Sequence, residues 1–213
     1  MPDPDRIPIA TLVSLVGDHG FSLDRVEGPR WNYTALFRRQ GILDRMAFRL
    51  RAMTAADVPA VAALHVATFN ETHTVHNDGP SFALRESQWS KAFVEDDGSW
   101  FGVVIEADGG ELVGFAKGKP HDGGIPAYAG ELNKIYLLRR YHRQGLGKRL
   151  LCYVARQFLE RGVNSMLLFG DARNPSNGFY EAMGGERITG ATPEDFHGAY
   201  GWRDLSALVT RCG

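Results

Sequence analysis

The sequence is short of several things at once, and each shortage excludes something. Of its 213 residues only Cys152 and Cys212 are cysteines, with no C-x-x-C pair and no Cys/His spacing of the kind that holds zinc. A disulfide-dense or zinc-ribbon scaffold is excluded, and the two thiols are expected to be free, as in a reducing compartment. No apolar run approaches the ~20 residues that a membrane-spanning helix needs, and the first residues are rich in Pro and Asp where a secretory leader would be basic and then apolar. Neither sign of charge dominates: the formal net charge is -1, so nothing pulls the whole molecule toward nucleic acid or an anionic membrane. An anionic ligand must be held locally. What remains is ordinary, with apolar residues at 44% in a chain long enough for one substantial core, and the expectation is a cytoplasmic globular enzyme.

The pattern divides near Met46, giving a front piece, residues 1–45, and a main domain, residues 46–213, for which Met46 is a candidate start. The front piece carries an apolar stretch Ile9 to Val16, then Gly17, Gly20, Gly28 and Pro29 as punctuation. Trp31, Tyr33, Leu36 and Phe37 read as a short helix, with Arg38 and Arg39 on a solvated face. The main domain opens with a strand, Phe48 to Arg51. A helix follows, which Thr54 and Asp57 cap and which carries Val58, Val61 and Leu64 at helical spacing. A polar linker, Glu71 to Ser81, leads to a second helix ending near Val94. Trp100 to Glu106 and Glu111 to Lys117 form a hairpin about Asp108, Gly109 and Gly110, and a third strand spans about Gly130 to Leu138. A helix with Leu146, Leu150, Val154 and Phe158 on one face ends at Gly162. Ser165 to Phe169 reads as a buried strand, Pro175 to Met183 as a helix, and Tyr200 to Val209 as a final strand or strand pair. His65, His73 and His76 are irregularly spaced and read as surface or lining residues, with no metal expected.

The chemistry concentrates where the third strand meets its helix, at Tyr141-His142-Arg143-Gln144-Gly145-Leu146-Gly147-Lys148. The first turn of a helix leaves backbone N–H groups unpaired at the positive end of the dipole, which suits a diphosphate. Gly145 and Gly147 remove side chains from its approach, and Arg143, Lys148 and Arg149 add positive charge. The spacing is neither a Walker loop nor the dinucleotide fingerprint, so a different pyrophosphate-bearing ligand is expected.

Leu132-Asn133-Lys134-Ile135-Tyr136-Leu137, followed by that loop, resembles the acyl-CoA signature of the GNAT superfamily of N-acetyltransferases. Asn174-Pro175-Ser176-Asn177-Gly178-Phe179-Tyr180-Glu181-Ala182-Met183-Gly184-Gly185 is similar to its second motif, and Tyr200 to Leu205 looks like the closing strand of bacterial members. The superfamily pattern Q/R-x-x-G-x-G/A has His142 in its first position here, with Arg143 beside it. The resemblance covers the chain from about Met46 onward. It implies an α/β (α+β) fold: a central mixed, mostly antiparallel sheet flanked by helices on both faces, with a V-shaped opening beside the glycine-loop strand for acyl-CoA.

The resemblance further implies acetyl-CoA as cosubstrate, its pantetheine arm along the backbone of Ile135, Tyr136 and Leu137 and its pyrophosphate on Arg143, Gln144, Gly145, Leu146, Gly147 and Lys148. The Leu137 N–H would polarise the thioester carbonyl. Attack by the amine would be direct, neither cysteine lying in a motif. Tyr180 is the expected acid for the departing thiolate, with a pair of core aromatics at Phe179-Tyr180 as its structural alternative. Asn174 is expected either to anchor the pantetheine or to form a turn before Pro175. For the base the candidates are Glu131, Asp171 or ordered water, and Glu71 and Trp202 are candidate pocket residues. The long segments Glu71 to Ser81 and Ile188 to Ala199 favour a small-molecule primary amine over a protein N-terminus or lysine as acceptor. A non-catalytic acyl-CoA-binding module is the alternative from another class. No nucleic-acid or membrane partner is expected, and a homodimer is possible within the family pattern.

Overall fold

The computed structural model describes residues 10–11, 21–27, 34–39, 48–73, 79–170, 174, 176–188 and 198–212. The chain divides into two compact units, Met1–Ala47 and Phe48–Gly213. The first contains an antiparallel hairpin, β1 (Phe21–Glu27) and β2 (Thr34–Arg39), running from the pair Phe21 and Arg39 to the pair Glu27 and Thr34. The helix expected about Leu36 and Phe37 is therefore a strand. Local spacing of those two residues could not reveal it, because what makes them extended is ladder bonding to a partner more than ten residues upstream in the sequence, where Leu23 faces Phe37. Trp31, Tyr33 and most of the Ile9 to Val16 stretch lie outside the described residues.

In the second unit, β3 (Arg49–Ala52) leads through a 3-10 turn, Ala55–Asp57, into α1 (Val58–His73). The entry is held by Asp57, whose carboxylate accepts from the Thr54 N–H at 2.8 Å and the Thr54 hydroxyl at 3.0 Å, and takes a two-pronged pair from Arg51 at 2.8 Å. The expected linker begins later than the polar residues suggest. Thr68 and Thr72 return their hydroxyls to the carbonyls of Leu64 and Thr68, at 2.7 and 2.9 Å, so α1 continues through Glu71 to His73. Then come α2 (Phe82–Val94), β4 (Phe101–Glu106), β5 (Leu112–Pro120), β6 (Gly130–Leu137), α3 (Leu146–Glu160), β7 (Met166–Phe169), α4 (Asn177–Ala182), β8 (Glu186–Arg187), β9 (Ala199–Trp202) and α5 (Leu205–Thr210).

Seven strands form one mixed sheet in the order β3-β4-β5-β6-β7-β9-β8, antiparallel throughout except for β6 beside β7. This is the expected mostly antiparallel sheet, with α1 on one face, where His65 lies against Phe115 and Tyr136, and α3 on the other, where Phe158 packs edge-on against Phe101. The apolar stripe read from spacing is the α3 core face: Leu146, Leu150, Val154 and Phe158 are all buried. At about 1.5–3 kcal/mol per fully buried side chain, that stripe is a main reason the helix is held against the sheet.

Two expectations near the C-terminus are overturned. The stretch after Tyr200 is not strand throughout: β9 ends at Trp202, and Asp204 starts α5 by accepting from the N–H groups of Ser206 and Ala207 at 2.9 and 3.4 Å. Leu205 and Leu208, three apart, are buried, and the helix packs on α3. That packing brings Cys212 to Cys152, and the two form a disulfide with Cα atoms 6.0 Å apart. The thiols are not free, and the argument from them to a reducing compartment falls. Their separation of 60 residues carries no spacing signal, and contact depends on a helix that the alternation of Tyr200 to Val209 concealed.

Candidate functional site

The site is built around the two ends of β6. At its start the strand pairs with β7 only through Gly130 with Met166 and Glu131 with Leu167. Just beyond, the register with β5 slips: Lys134 faces Lys117 but Leu132 faces Gly118, so Asn133 is an extra residue. Such a bulge bends its strand. From residue 132 onward β6 has no neighbour on the β7 side among the described residues, so the sheet opens there. Leu138 donates its N–H to Val113 on β5 at 3.0 Å. By strand alternation the backbone of Tyr136 also faces β5, whereas the N–H and C=O groups of Ile135 and Leu137 face the opening.

At its far end β6 passes through a 3-10 turn, Arg139–Tyr141, into the glycine loop. Gly145 stands at the N-cap of α3 with φ of 77°, and Arg143 has φ of 62°. These left-handed residues turn the chain so that successive N–H groups converge. The first backbone bond of the helix is from Arg149 to Gly145, and the N–H groups from Arg143 to Lys148 have no partner among the described residues. The fold itself does not require a bare Cα at 147: a Cβ there would meet only the Phe179 ring, at 3.6 Å. Unsatisfied donors beside a side chain missing without steric cause fit a phosphate-bearing ligand. His142, out of pattern, donates from Nε2 to the Leu137 carbonyl, 2.9 Å away, so it covers one of the two outward groups of that residue. Gln144 reaches the Arg140 carbonyl at 3.3 Å. Arg149, counted as free charge beside the loop, is instead tied to the Phe48 carbonyl at 2.8 Å.

Tyr180 on α4 is buried, edge-on to Phe179 and Trp202 and tilted against Tyr200. It is thus a core aromatic as well as a candidate acid. Its hydroxyl has no hydrogen-bond partner among the described residues, and burial, helped by the Tyr136 phenol, pushes its pKa well above that of an ordinary phenol. It is a neutral donor across the working pH range. Asn174 forms a turn: its Oδ1 accepts from Ser176 N–H at 2.9 Å, and its carbonyl from Asn177 N–H at 3.0 Å. Glu71 is spent on Arg139, whose N–H it accepts at 2.8 Å, and Trp202 is buried with its indole donating to the Met183 carbonyl at 3.0 Å. Neither is a free pocket group. Asp171 and His76 lie outside the described residues.

Glu131 is buried at the fork. Asn133 Nδ2 donates to its carboxylate at 2.6 Å, Lys119 Nζ stands at 3.3 Å and His121 Nδ1 at 3.7 Å. His121 is itself enclosed, and neither of its ring nitrogens makes a hydrogen bond. The sequence reading missed His121, Lys119, Lys117 and Lys134. Only the alternation of Lys117 with Lys119 on β5 hinted that they share a face. His65, read as a surface or lining residue, is fully buried, and burial, with Arg85 and Lys134 nearby, lowers its pKa to about 3. No cluster of three potential metal ligands occurs among the described residues, and no described helix is long and apolar enough to cross a membrane.

A mixed sheet that opens beside an unsatisfied glycine loop, with a buried phenol on the following helix, defines an acyl-transferase class of architecture. The chain belongs to the GNAT acetyltransferase family, whose model, Acetyltransferase (GNAT) family, matches residues 59–185. It is 32% identical over 168 residues to the uncharacterized N-acetyltransferase YuaI of Bacillus subtilis (strain 168), covering 72% of this chain and 92% of that protein. Among solved structures it resembles a GNAT-family acetyltransferase of Staphylococcus aureus Mu50, with a TM-score of 0.61 and 15% identity over 75% of this chain and 99% of that one. It also resembles the PaiA N-acetyltransferase of Thermoplasma acidophilum in complex with coenzyme A, with a TM-score of 0.56 and 17% identity over 73% and 98%. These structural likenesses concern the fold.

Proposed function

We propose that the chain transfers an acetyl group from acetyl-CoA directly to the primary amine of a small molecule. The observation that carries the reading is the run of N–H groups from Arg143 to Lys148 without partners among the described residues, continuous with the outward-facing backbone of Ile135 and Leu137. The loop holds the pyrophosphate through those groups, with Arg143 and Lys148 adding charge, and the open edge of β6 receives the pantetheine as an added strand. Acetyl-CoA supplies the thioester carbonyl and a thiolate leaving group. The Leu137 N–H stabilises the oxyanion, Glu131, further back along β6, takes the proton released by the amine through ordered water, and Tyr180 delivers a proton to sulfur. Asn133 and Lys119 orient the Glu131 carboxylate. Lys134 extends the chain by donating to Asn133 Oδ1 at 3.0 Å. The half-buried groups that surround Glu131 favour a compact acceptor over an extended peptide. The reading also sets the protein in the cytoplasm, on the grounds of its cosubstrate and no longer of its cysteines.

The test is release of free thiol from acetyl-CoA, followed with a panel of small amines and a panel of peptides with free N-termini and lysines. Turnover led by small amines is expected. Binding of CoA without thiol release on any acceptor, or turnover confined to peptides, would contradict the reading.

A further inference from the structure

The face of the sheet that carries α1 holds a group of positive charges that no described carboxylate pairs directly, Asp96 and Glu131 acting on Lys117 and Lys134 only from a distance. Lys117 and Lys134 are directly opposed across β5 and β6, and Arg85 on α2 is close enough to lower the pKa of both Lys134 and the neighbouring His65. All three cations are half-buried. No carboxylate lies within 4.0 Å of any of them among the described residues, in contrast with Lys119, which is paired to Glu131 and Asp122. Their hydrogen-bond and ring partners are neutral. Lys117 Nζ stands 4.2 Å above the Trp100 ring and 5.6 Å from that of Trp89. Lys134 Nζ donates to Asn133, Arg85 donates to Gln88 at 2.9 Å and stands over the Phe69 ring, and the buried Arg85 Nε has no hydrogen-bond partner among the described residues. Loss of hydration is the main cause that holds the pKa of Lys117 and Lys134 below that of a free lysine, with mutual repulsion adding to it. Half-burying like charges together is unfavourable unless an anion completes the set.

Position says which anion. Lys134 lies three residues before Leu137 on β6, about 10 Å along the strand from the N–H that would meet the thioester and on the far side of it from the loop that would serve the pyrophosphate. It is joined through Asn133 to Glu131, so the cations stand at the amine end of the site. From this, and resting on the acetyltransferase reading above, we infer that the acceptor is an amine carrying an anionic group, a carboxylate or a phosphate, which Lys117, Lys134 and Arg85 hold while Glu131 faces the nitrogen. The same cations repel polyamines and favour the neutral, nucleophilic form of the bound amine.

The test pairs each anionic amine with its uncharged counterpart, on the full chain with saturating acetyl-CoA. Glutamate and β-alanine are set against their amides, phosphoethanolamine against ethanolamine, and spermidine serves as the polycation. Thiol release is expected to favour the anionic member by at least about tenfold in kcat/KM, with spermidine poorest, and the leading pair tells carboxylate from phosphate. In Lys134→Met and in Arg85→Gln, each checked for unchanged Tm, the ratio of anionic to neutral rate falls toward one. Calorimetric titration of the same amines into CoA-loaded protein reads recognition without turnover. Selective binding of anionic amines with no thiol release supports this inference and contradicts catalysis. Thiol release that is equal for both members of each pair, or led by spermidine, overturns the inference and leaves the acetyltransferase reading intact. Failure of every anionic amine to bind overturns it as well.

Discussion

The two ends of β6 do different work by different means. At the loop end the ligand-facing groups are backbone N–H and C=O, set by two left-handed residues and by a strand edge without a neighbour, and side chains contribute little beyond being absent at Gly145 and Gly147. At the fork end nearly everything depends on side chains, drawn from β5, β6, α1 and α2 and half-buried together. Geometry fixed by backbone tolerates an out-of-pattern residue such as His142, which still finds a partner at Leu137. Chemistry fixed by clustered charges does not tolerate such exchange, because each group sets the field felt by the others.

Four experiments would break or sharpen that contrast. The largest effect is expected from Tyr180→Phe: kcat should fall by about 100-fold or more while CoA affinity and Tm hold, since the lost hydroxyl bonds nothing among the described residues. Unchanged turnover, read as thiol release, would remove Tyr180 as the acid. Gly147→Val should leave Tm unaltered, as only Phe179 at 3.6 Å borders the space, and should weaken CoA binding by about 30-fold, or about 2 kcal/mol, in a calorimetric titration. Undiminished affinity would mean that the phosphates lie elsewhere.

The third concerns the fork face and pH. The His65 pKa in the folded chain, about 3, is below the unfolded value of 6.5, so between those limits only the unfolded chain takes up the proton. The contribution is complete above pH 6.5 and is lost as pH falls toward 3. Relative to His65→Leu, the protein should lose about 2 kcal/mol on going from pH 7 to pH 5 in urea titrations; parallel profiles would show that the histidine is solvated. The smallest effect is a control away from both ends: Asp57→Ala should cost about 1 kcal/mol at pH 7 through the lost Arg51 pair and helix entry, with no change in CoA affinity. The Asp57 carboxyl is held at about 2, chiefly by Arg51, so that contribution is complete above the unfolded value of 3.8 and fades as pH drops from there toward 2.

The same contrast explains what could be read in advance. The loop and the α3 stripe are local patterns, and both stand in the structure. Glu131 was legible as a candidate because it begins a recognisable strand. Its companions were not, since His121 follows Pro120 with no periodic signal and Lys117 meets Lys134 only through strand pairing. The errors have the same origin. Leu36 and Phe37 are extended because of β1, and the Cys152–Cys212 bond exists because α5, capped by Asp204, packs on α3. Asn174 offered a ligand reading and a turn reading, and in the structure its Oδ1 and carbonyl oxygen are both used within the turn.

Amide hydrogen exchange at single-residue resolution, with and without CoA, tests the backbone account most directly. The N–H groups from Arg143 to Lys148 have no acceptor among the described residues and should exchange rapidly. With CoA bound, those amides together with Leu137 should slow by about tenfold or more, while Tyr136, already facing β5, changes little. Exchange at the loop that is unaltered by CoA would contradict the assignment of this backbone as the acyl-CoA site.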